Sequence, residues 1–153
     1  MMEYVITPRG PIICTQHIGK TEIAQLGIPV SARGLLMIGP ESNGDIIIFA
    51  NEPFKETNPA HSDDILSMIK ECDVGIPLKY INDRHRGFMV FQTSHNHDDF
   101  RMVCQNIDSA GFVTLAIRDS RIYALCHGES ISLGIGHKSG DAEFLSSRFN
   151  SDM

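Results

Sequence analysis

The sequence predicts one α+β (mixed α/β) domain over residues 1–153, in which helices flank a central mixed sheet. Its length of 153 residues suits a single domain with one sizeable core. Short apolar runs typical of strands are mixed with segments of helical spacing, and the two kinds do not alternate strictly. No internal repeat, low-complexity tract or linker divides the chain. We therefore expect the predicted elements to share one sheet with its flanking helices.

The first half of the chain is predicted to contain two short strands, a helix, a hairpin and a longer helix. Pro8-Arg9-Gly10 reads as a turn, and Asn43-Gly44 is a typical hairpin turn between two apolar strands. The apolar character of these two strands is nearly continuous, which predicts burial on both faces. The predicted elements are strands over 4–6 and 11–15, a helix over 20–26, strands over 34–39 and 45–50, and a helix over 63–72 with the stripe Ile65, Met68, Ile69 and Cys72.

The second half is predicted to centre on a strand, a polar turn and a helix. The strand is the apolar run Phe88-Met89-Val90-Phe91. Beyond the turn, helical spacing is shown by Phe100, Val103, Cys104 and Ile107. The other predicted elements are an extended piece over 76–81, strands over 112–117, 121–126 and 130–135, and a helix over 141–149.

The charge and hydropathy pattern exclude several function classes. Thirteen basic and 19 acidic residues give a formal net charge of -6, which argues against a nucleic-acid or anionic-membrane partner. No apolar run approaches the length needed to span a bilayer. Residues 1–10 lack the apolar region of a signal peptide. We therefore expect a cytoplasmic protein.

The cysteine pattern favours reduced thiols over a zinc knuckle or a disulfide framework. The four cysteines are far apart and form no Cys-x-x-Cys pair. Cys72 and Cys104 fall on predicted apolar faces, so we expect them in the core. Cys126-His127 is interpreted as a strand-end thiol beside a surface histidine, because a nucleophile and its base are not normally sequence neighbours.

The turn Thr93-Ser94-His95-Asn96-His97-Asp98-Asp99 carries the densest group of candidate ligands. Two imidazoles at i and i+2 on an extended backbone point to the same side. Asp99 follows where the next helix would begin, a position that favours acidic residues. His95, His97 and Asp99 are thus a candidate zinc ligand set. The alternative is a polar, solvated loop with a good helix cap.

The element order and this motif resemble the JAB/MPN metalloprotease domain, also called JAMM, over about residues 28–126. Gly34, Leu36 and Gly39 stand in the first strand of the resemblance, with one residue more than the family spacing. A helix follows, and the next apolar strand leads into His95-x-His97. The resemblance implies a JAB/MPN-like fold with zinc held by the two histidines and an aspartate from the next helix.

The sequence departs from the family pattern at three positions. Ser31 stands near the place of the family's general-base glutamate. No serine lies three residues before Asp99, and the literal family spacing instead reaches Asp108 as the third ligand, with Gln105 at the serine position. Glu22 and Glu41 are the nearest carboxylates that could replace the missing base.

The resemblance implies a zinc-dependent peptidase or isopeptidase, a hydrolase that activates water on the metal. Loss of the base would cost roughly 10²–10⁴-fold in rate, so the sequence also allows an inactive member. The alternative is a non-catalytic MPN-like module for protein–protein interaction. In either case the expected partner is a protein or peptide, with ubiquitin-like proteins among the candidates. Metal-dependent phosphoester hydrolysis has no support beyond the ligands.

Overall fold

Antiparallel hairpins build most of this fold. The computed structural model describes residues 1–51 and 59–153, except for the side chains of residues 59 and 60. Short 3-10 turns lie at Ser42–Gly44 and His97–Phe100. The strands and α-helices in chain order are β1 (Met2–Thr7), β2 (Gly10–Cys14), α1 (Lys20–Gln25), β3 (Ala32–Pro40), β4 (Ile46–Asn51), α2 (Pro59–Asp73), β5 (Leu78–Asp83), β6 (Gly87–Phe91), β7 (Ile107–Arg118), β8 (Arg121–His127), β9 (Glu129–Ser130), β10 (Ile135–Gly136) and α3 (Asp141–Phe149).

Eight of these strands form one sheet in the order β4-β3-β1-β2-β6-β5-β7-β8. Every neighbouring pair in it is antiparallel. The α+β class is confirmed, but the expected mixed sheet is wrong. The reason lies in the connections, because β1–β2, β3–β4, β5–β6 and β7–β8 are joined by short turns that can link only antiparallel strands. Between β7 and β8, Asp119 and Ser120 both have positive φ values, of 52° and 62°, as a primed two-residue hairpin turn requires.

One face of the sheet is covered by α2 and α3. Alternate strand residues point to this face, and they include Leu36 and Ile38 of β3 and Tyr80 of β5, all fully buried. The predicted stripe of α2 packs here and is confirmed: Ile65, Met68, Ile69 and Cys72. From α3, Leu145 and Phe149 complete the cluster. This is the larger of the two cores.

The opposite face carries a second core over the central strands. Val5, Ile12 and Phe91 project to this side from β1, β2 and β6. They are covered by residues beside α1 and by the irregular segment between β6 and β7, namely Ile18, Leu26, Ile28, Phe100, Val103 and Cys104. The second core therefore depends on a segment that has little regular structure.

The helix predicted beyond His97 is wrong. A 3-10 turn over His97–Phe100 is followed by turns, and β7 begins at Ile107. Asp83 Oδ1 accepts the backbone N–H of Asn106 at 2.7 Å, and the N–H of Arg84 donates to the carbonyl of Asn106 at 2.8 Å. These bonds fix the chain beside β5 where a helix would have continued. The helical spacing arose because an irregular segment that crosses a sheet also buries apolar side chains every few residues.

The predicted strand over 130–135 is also wrong, because the chain reverses within it. Ser130 of β9 pairs with Ile135 of β10, and Gly134 takes a φ of +68° in the turn between them. The predicted N-terminal strands, the hairpin at Asn43-Gly44 and all three remaining helices are confirmed within a few residues.

The helices of residues 1–51 and 59–153 include none with the length and apolar content required to cross a membrane. All four cysteines are free thiols. Cys72 and Cys104 are buried, as predicted, and Cys14 is buried with them.

Candidate functional site

The His-Asn-His segment follows β6 without extending it. β6 ends at Phe91, and the backbone N–H of His95 donates to the carbonyl of Gln92 at 3.1 Å, which closes a turn. The expected extended backbone through both histidines is therefore wrong. Both imidazoles nevertheless pack against one aromatic ring. The ring centroids of His95 and His97 lie 5.7 Å and 5.9 Å from that of Phe91, in edge-on geometry.

His95 is fully buried against the turn between β1 and β2. Its Nε2 lies 3.3 Å from Thr7 Oγ1 and 3.3 Å from the carbonyl oxygen of Gly10. The Thr7 hydroxyl itself donates to the Gly10 carbonyl at 2.9 Å, and a carbonyl only accepts. We therefore infer that His95 Nε2 carries the proton. Nδ1 then holds a lone pair, and it is buried without a hydrogen-bond partner in the described part of the chain.

His97 joins the same segment to β7. It is 5% exposed, and its Nε2 donates to the carbonyl of Gly111 at 3.2 Å. Its ring also meets Phe112 edge-on at a centroid distance of 6.2 Å. The two histidines thus fasten one irregular segment to two different parts of the sheet.

Burial lowers the pKa of both imidazoles below the ordinary value, because protonation would place a charge in an apolar site. The carbonyls of Gly10 and Gly111 oppose this lowering of the pKa without reversing it. Lys79, whose Nζ donates to the carbonyl of His95 at 2.9 Å, also disfavours the protonated rings. Both imidazoles are therefore neutral at pH 7.

The two candidate carboxylate ligands are bonded elsewhere. Asp99 Oδ2 lies 2.8 Å from a guanidinium nitrogen of Arg9 and accepts the backbone N–H of Asn96 at 3.0 Å. Asp108 stands on β7, where its Oδ1 lies 3.3 Å from Arg84. Asp99 thus acts as a turn-stabilising acceptor, and Asp108 belongs to a surface ion pair.

These donors do not fit a zinc ion in the observed arrangement. Zinc needs several lone pairs that converge on one point. Both Nε2 atoms instead face carbonyl oxygens, and the Asp99 carboxylate is paired with Arg9. Across residues 1–51 and 59–153, no group of three or more His, Cys, Asp or Glu side chains is placed to hold a metal. The zinc site remains a sequence-based prediction.

Three further residues singled out from the sequence, Ser31, Gln105 and Glu22, are also bonded within the fold. The backbone N–H of Ser31 donates to the carbonyl of Ile6 at 2.9 Å, and the Gln105 amide donates to the carbonyl of Met102 at 3.1 Å. Glu22 pairs with Arg86 at 2.9 Å and accepts the backbone N–H of Gly19. Glu41 lies just after β3 at the start of the hairpin turn.

Cys126 and His127 point to opposite faces of β8, as neighbours on a strand do. His127 stacks on Phe112 at a centroid distance of 6.0 Å. Cys126 packs against the α2–α3 core, and burial, aided by the nearby Asp141 carboxylate, raises its pKa to about 11. The protonated thiol and the distant imidazole support the interpretation of this pair as structural.

An apolar patch is exposed on the outer strands β3 and β4. Leu35, Met37 and Phe49 are 40%, 38% and 50% exposed, and Met37 lies directly opposite Phe49 in the strand pair. Half-buried Ile47, opposite Gly39, extends the patch along β4. These four side chains are referred to below as the outer strip. The predicted burial of both faces of this hairpin is therefore wrong.

The outer strip could not be predicted from the sequence, because the sequences of β3 and β4 are almost uniformly apolar. The strip occupies alternate positions, and the residues between them, such as Leu36 and Ile48, belong to the α2–α3 core. Nothing in the local sequence marks β4 as an edge strand beyond the reach of the second core.

No family model, curated protein or solved structure matches this chain. The resemblance to the JAB/MPN domain therefore rests on the histidine pair and on the order of the elements before it, since the described residues beyond His97 form no α-helix until α3.

Proposed function

We propose that this chain is a non-catalytic domain that binds a protein partner through the outer strip. The observation that carries the proposal is the exposure of Leu35, Met37 and Phe49 side by side on one sheet face. Scattered apolar side chains are normal on a surface, but a contiguous patch marks a contact site. A partner that covers this patch would gain roughly 25 cal/mol of favourable binding free energy for each Å² of apolar surface removed from water.

The charge of the chain indicates the kind of partner. A formal net charge of -6 attracts a positively charged protein over distances longer than a direct contact. The exposed Glu41 lies beyond the end of β3, and Glu3, opposite Leu35 on the neighbouring strand, has its carboxylate 3.1 Å from Nδ1 of His17. A partner with an apolar centre and a basic rim would complement both features.

The bonding of the histidine segment supports a non-catalytic role. His95, His97 and Asp99 each have a structural partner, and the JAMM base and serine have no counterpart at Ser31 and Gln105. A zinc-dependent peptidase or isopeptidase remains the alternative function, and it requires these side chains to leave their present partners.

Binding through the outer strip can be tested with a partner identified from the native source and then purified. We expect the Phe49→Ser variant to bind this partner at least tenfold more weakly, since it removes the largest apolar side chain of the strip. Tyr123→Ser is the matched control, because Tyr123 is 51% exposed on β8 at the other edge of the sheet. Equal affinities of wild type and Phe49→Ser for the purified partner would refute the proposal. So would a self-association, seen by sedimentation, that only Phe49→Ser abolishes.

The enzymatic alternative has a separate assay. Purified chain, supplied with zinc, is incubated with a linear fusion that carries a ubiquitin-like domain. We expect the fusion to stay intact. Cleavage that a chelator stops and zinc restores would replace the proposed function with that of a metallopeptidase.

A further inference from the structure

A cleft of about 230 Å³ lies between the C-terminal half of α2 and the adjoining ends of β5 and β6. Met68 and Leu78 contribute to its lining and are 1% and 2% exposed. Ile76, at 52% exposure, adds apolar surface nearer to solvent. Met68 and Leu78 therefore form a nearly inaccessible floor, and Ile76 supplies the apolar surface of the cleft that is open to solvent.

Polar residues line the rest of the cleft. They include Glu71 on α2 and the dipeptide Gln92-Thr93, which directly follows β6. In the part of the chain that the structure describes, the side chains of these three residues make no hydrogen bond or ion pair. The neighbouring Ser94 differs, because its hydroxyl donates to the carbonyl of Arg9 at 2.6 Å. In the described part of the chain, the Glu71 carboxylate and the Thr93 hydroxyl are thus left without protein partners, whereas the side-chain oxygen of Gln92 packs against Gly10.

We propose that this cleft binds a primary ammonium group carried on a short aliphatic stem. The carboxylate of Glu71 supplies a negative charge, and the ammonium can donate hydrogen bonds to this carboxylate and to the Thr93 hydroxyl. The stem packs against Ile76 and the neighbouring Pro77, above the floor formed by Met68 and Leu78. Small-molecule sites typically combine such an apolar lining with a few polar groups.

The charges of the residues that line the cleft favour an ammonium group over an anion or a divalent metal ion. Among the described residues that line the cleft, none is basic, so an anionic ligand has no counter-charge. A hard divalent cation prefers six or more oxygen ligands, more than one carboxylate with an amide and a hydroxyl provide. The ammonium can belong to a free amine or to a lysine side chain of another protein, and the chemistry of recognition is the same.

The test follows the backbone amide NMR signals of Glu71, Gln92 and Thr93 while n-butylammonium chloride is added to the full chain. We expect saturable shifts at these signals, and we expect the Glu71→Gln variant to bind about three- to tenfold more weakly. Glu71 is exposed, so this variant should fold normally. Glu143→Gln, another exposed carboxylate on a helix, is the matched control and should bind as wild type does.

Two further ligands complete the experiment. n-Butanol has a similar stem without the charge, and its binding should be weaker than that of n-butylammonium. Acetyl-Gly-Lys-Gly-amide presents the same ammonium on a peptide. Tighter binding of the peptide identifies a protein lysine as the natural ligand, whereas tighter binding of the free amine identifies a small metabolite, and both support the site.

The proposal is overturned if n-butylammonium shifts none of the three signals, if Glu71→Gln binds it unchanged, or if n-butanol binds equally well. These outcomes are independent of the outer strip. Leu78 and Met68 belong to the core on the α2 side, while the strip lies on the opposite sheet face. Phe49→Ser should therefore leave amine binding unchanged.

Discussion

At the scale of single residues, His95 and His97 are hydrogen-bond donors inside an apolar environment. Each directs Nε2 at a carbonyl, and the two carbonyls belong to different strands of the sheet, with Gly10 on β2 and Gly111 on β7. Both rings pack against Phe91. A neutral imidazole is what this environment accommodates, because a charged ring would be desolvated without a counter-ion in contact.

The neutral state of the two histidines predicts a loss of stability in acid. Their pKa values are lowered in the folded state, whereas an unfolded histidine has a pKa of about 6.5. The unfolded state therefore binds more protons, and the free energy of unfolding falls as the pH drops below about 6.5 towards the folded pKa values. Above that pH the full contribution is present. Urea unfolding measured from pH 8 to pH 5 checks this expectation.

His97→Gln should flatten this pH dependence, since one of the two titrating rings is removed. His85→Gln is the matched control, because it replaces an exposed imidazole on the turn between β5 and β6. A pH dependence that is equally steep in wild type and His97→Gln would show that the buried ring does not titrate as described.

The sequence predicts which residues are buried better than it predicts which residues they contact. The stripe of α2 follows from the spacing of Met68 and Cys72 in the chain, and it is confirmed. The partners of the histidines do not follow in this way. Gly10 lies 85 positions from His95, and no local pattern connects the two.

At the scale of elements, α3 is fastened to the sheet by a buried hydrogen bond. The Tyr80 hydroxyl donates to Asp141 Oδ2 at 2.6 Å, at the first residue of the helix. Burial raises the pKa of Tyr80, and the Asp141 carboxylate raises it further, so the hydroxyl keeps its proton. Phe144 of α3 stacks on Phe88 at a centroid distance of 5.0 Å. These two contacts add to the packing of Leu145 and Phe149 of α3 in the core on this face.

Tyr80→Phe should lower the free energy of unfolding by about 1–3 kcal/mol, because Asp141 stays buried with one donor fewer. Tyr123→Phe is the control. Tyr123 is 51% exposed, and loss of its hydroxyl should change stability by less than about 0.5 kcal/mol. Urea unfolding of both variants at pH 7.5 makes the comparison. Equal stabilities would mean that the Tyr80–Asp141 bond does not hold α3 in place.

The predicted secondary structure is correct where the local sequence itself determines a turn. Asn43 adopts a φ of 67° in the turn before β4, as an Asn-Gly turn leads one to expect. They failed at residues 100–107, where buried side chains recur at helical spacing but Asp83 bonds to the backbone of Asn106. That bond joins positions 23 residues apart and leaves no trace in the local pattern.

At the scale of the whole molecule, the order of strands decides which surfaces remain uncovered. β4 and β8 are the edges of the eight-stranded sheet. The backbone of Ile122 on β8 is bonded at both N–H and C=O by the side chain of Asn150, which follows α3. The outer strip lies on the sheet face away from α2 and α3, in a part of β3 and β4 that the second core does not cover. The α+β class could be predicted from the mixture of elements, but strand order arises from long-range pairing that the sequence does not display.

The central claim is that His95 and His97 serve the fold as neutral hydrogen-bond donors to the Gly10 and Gly111 carbonyls. The most direct test is the imidazole ¹⁵N–¹H NMR spectrum of the purified chain at pH 7.5, recorded while zinc chloride is added to one equivalent. We predict that the Nε2–H signals of both rings persist and that neither ring shifts. Joint shifts of both rings at a 1:1 ratio, lost in Asp99→Asn, would contradict the claim and restore the zinc centre.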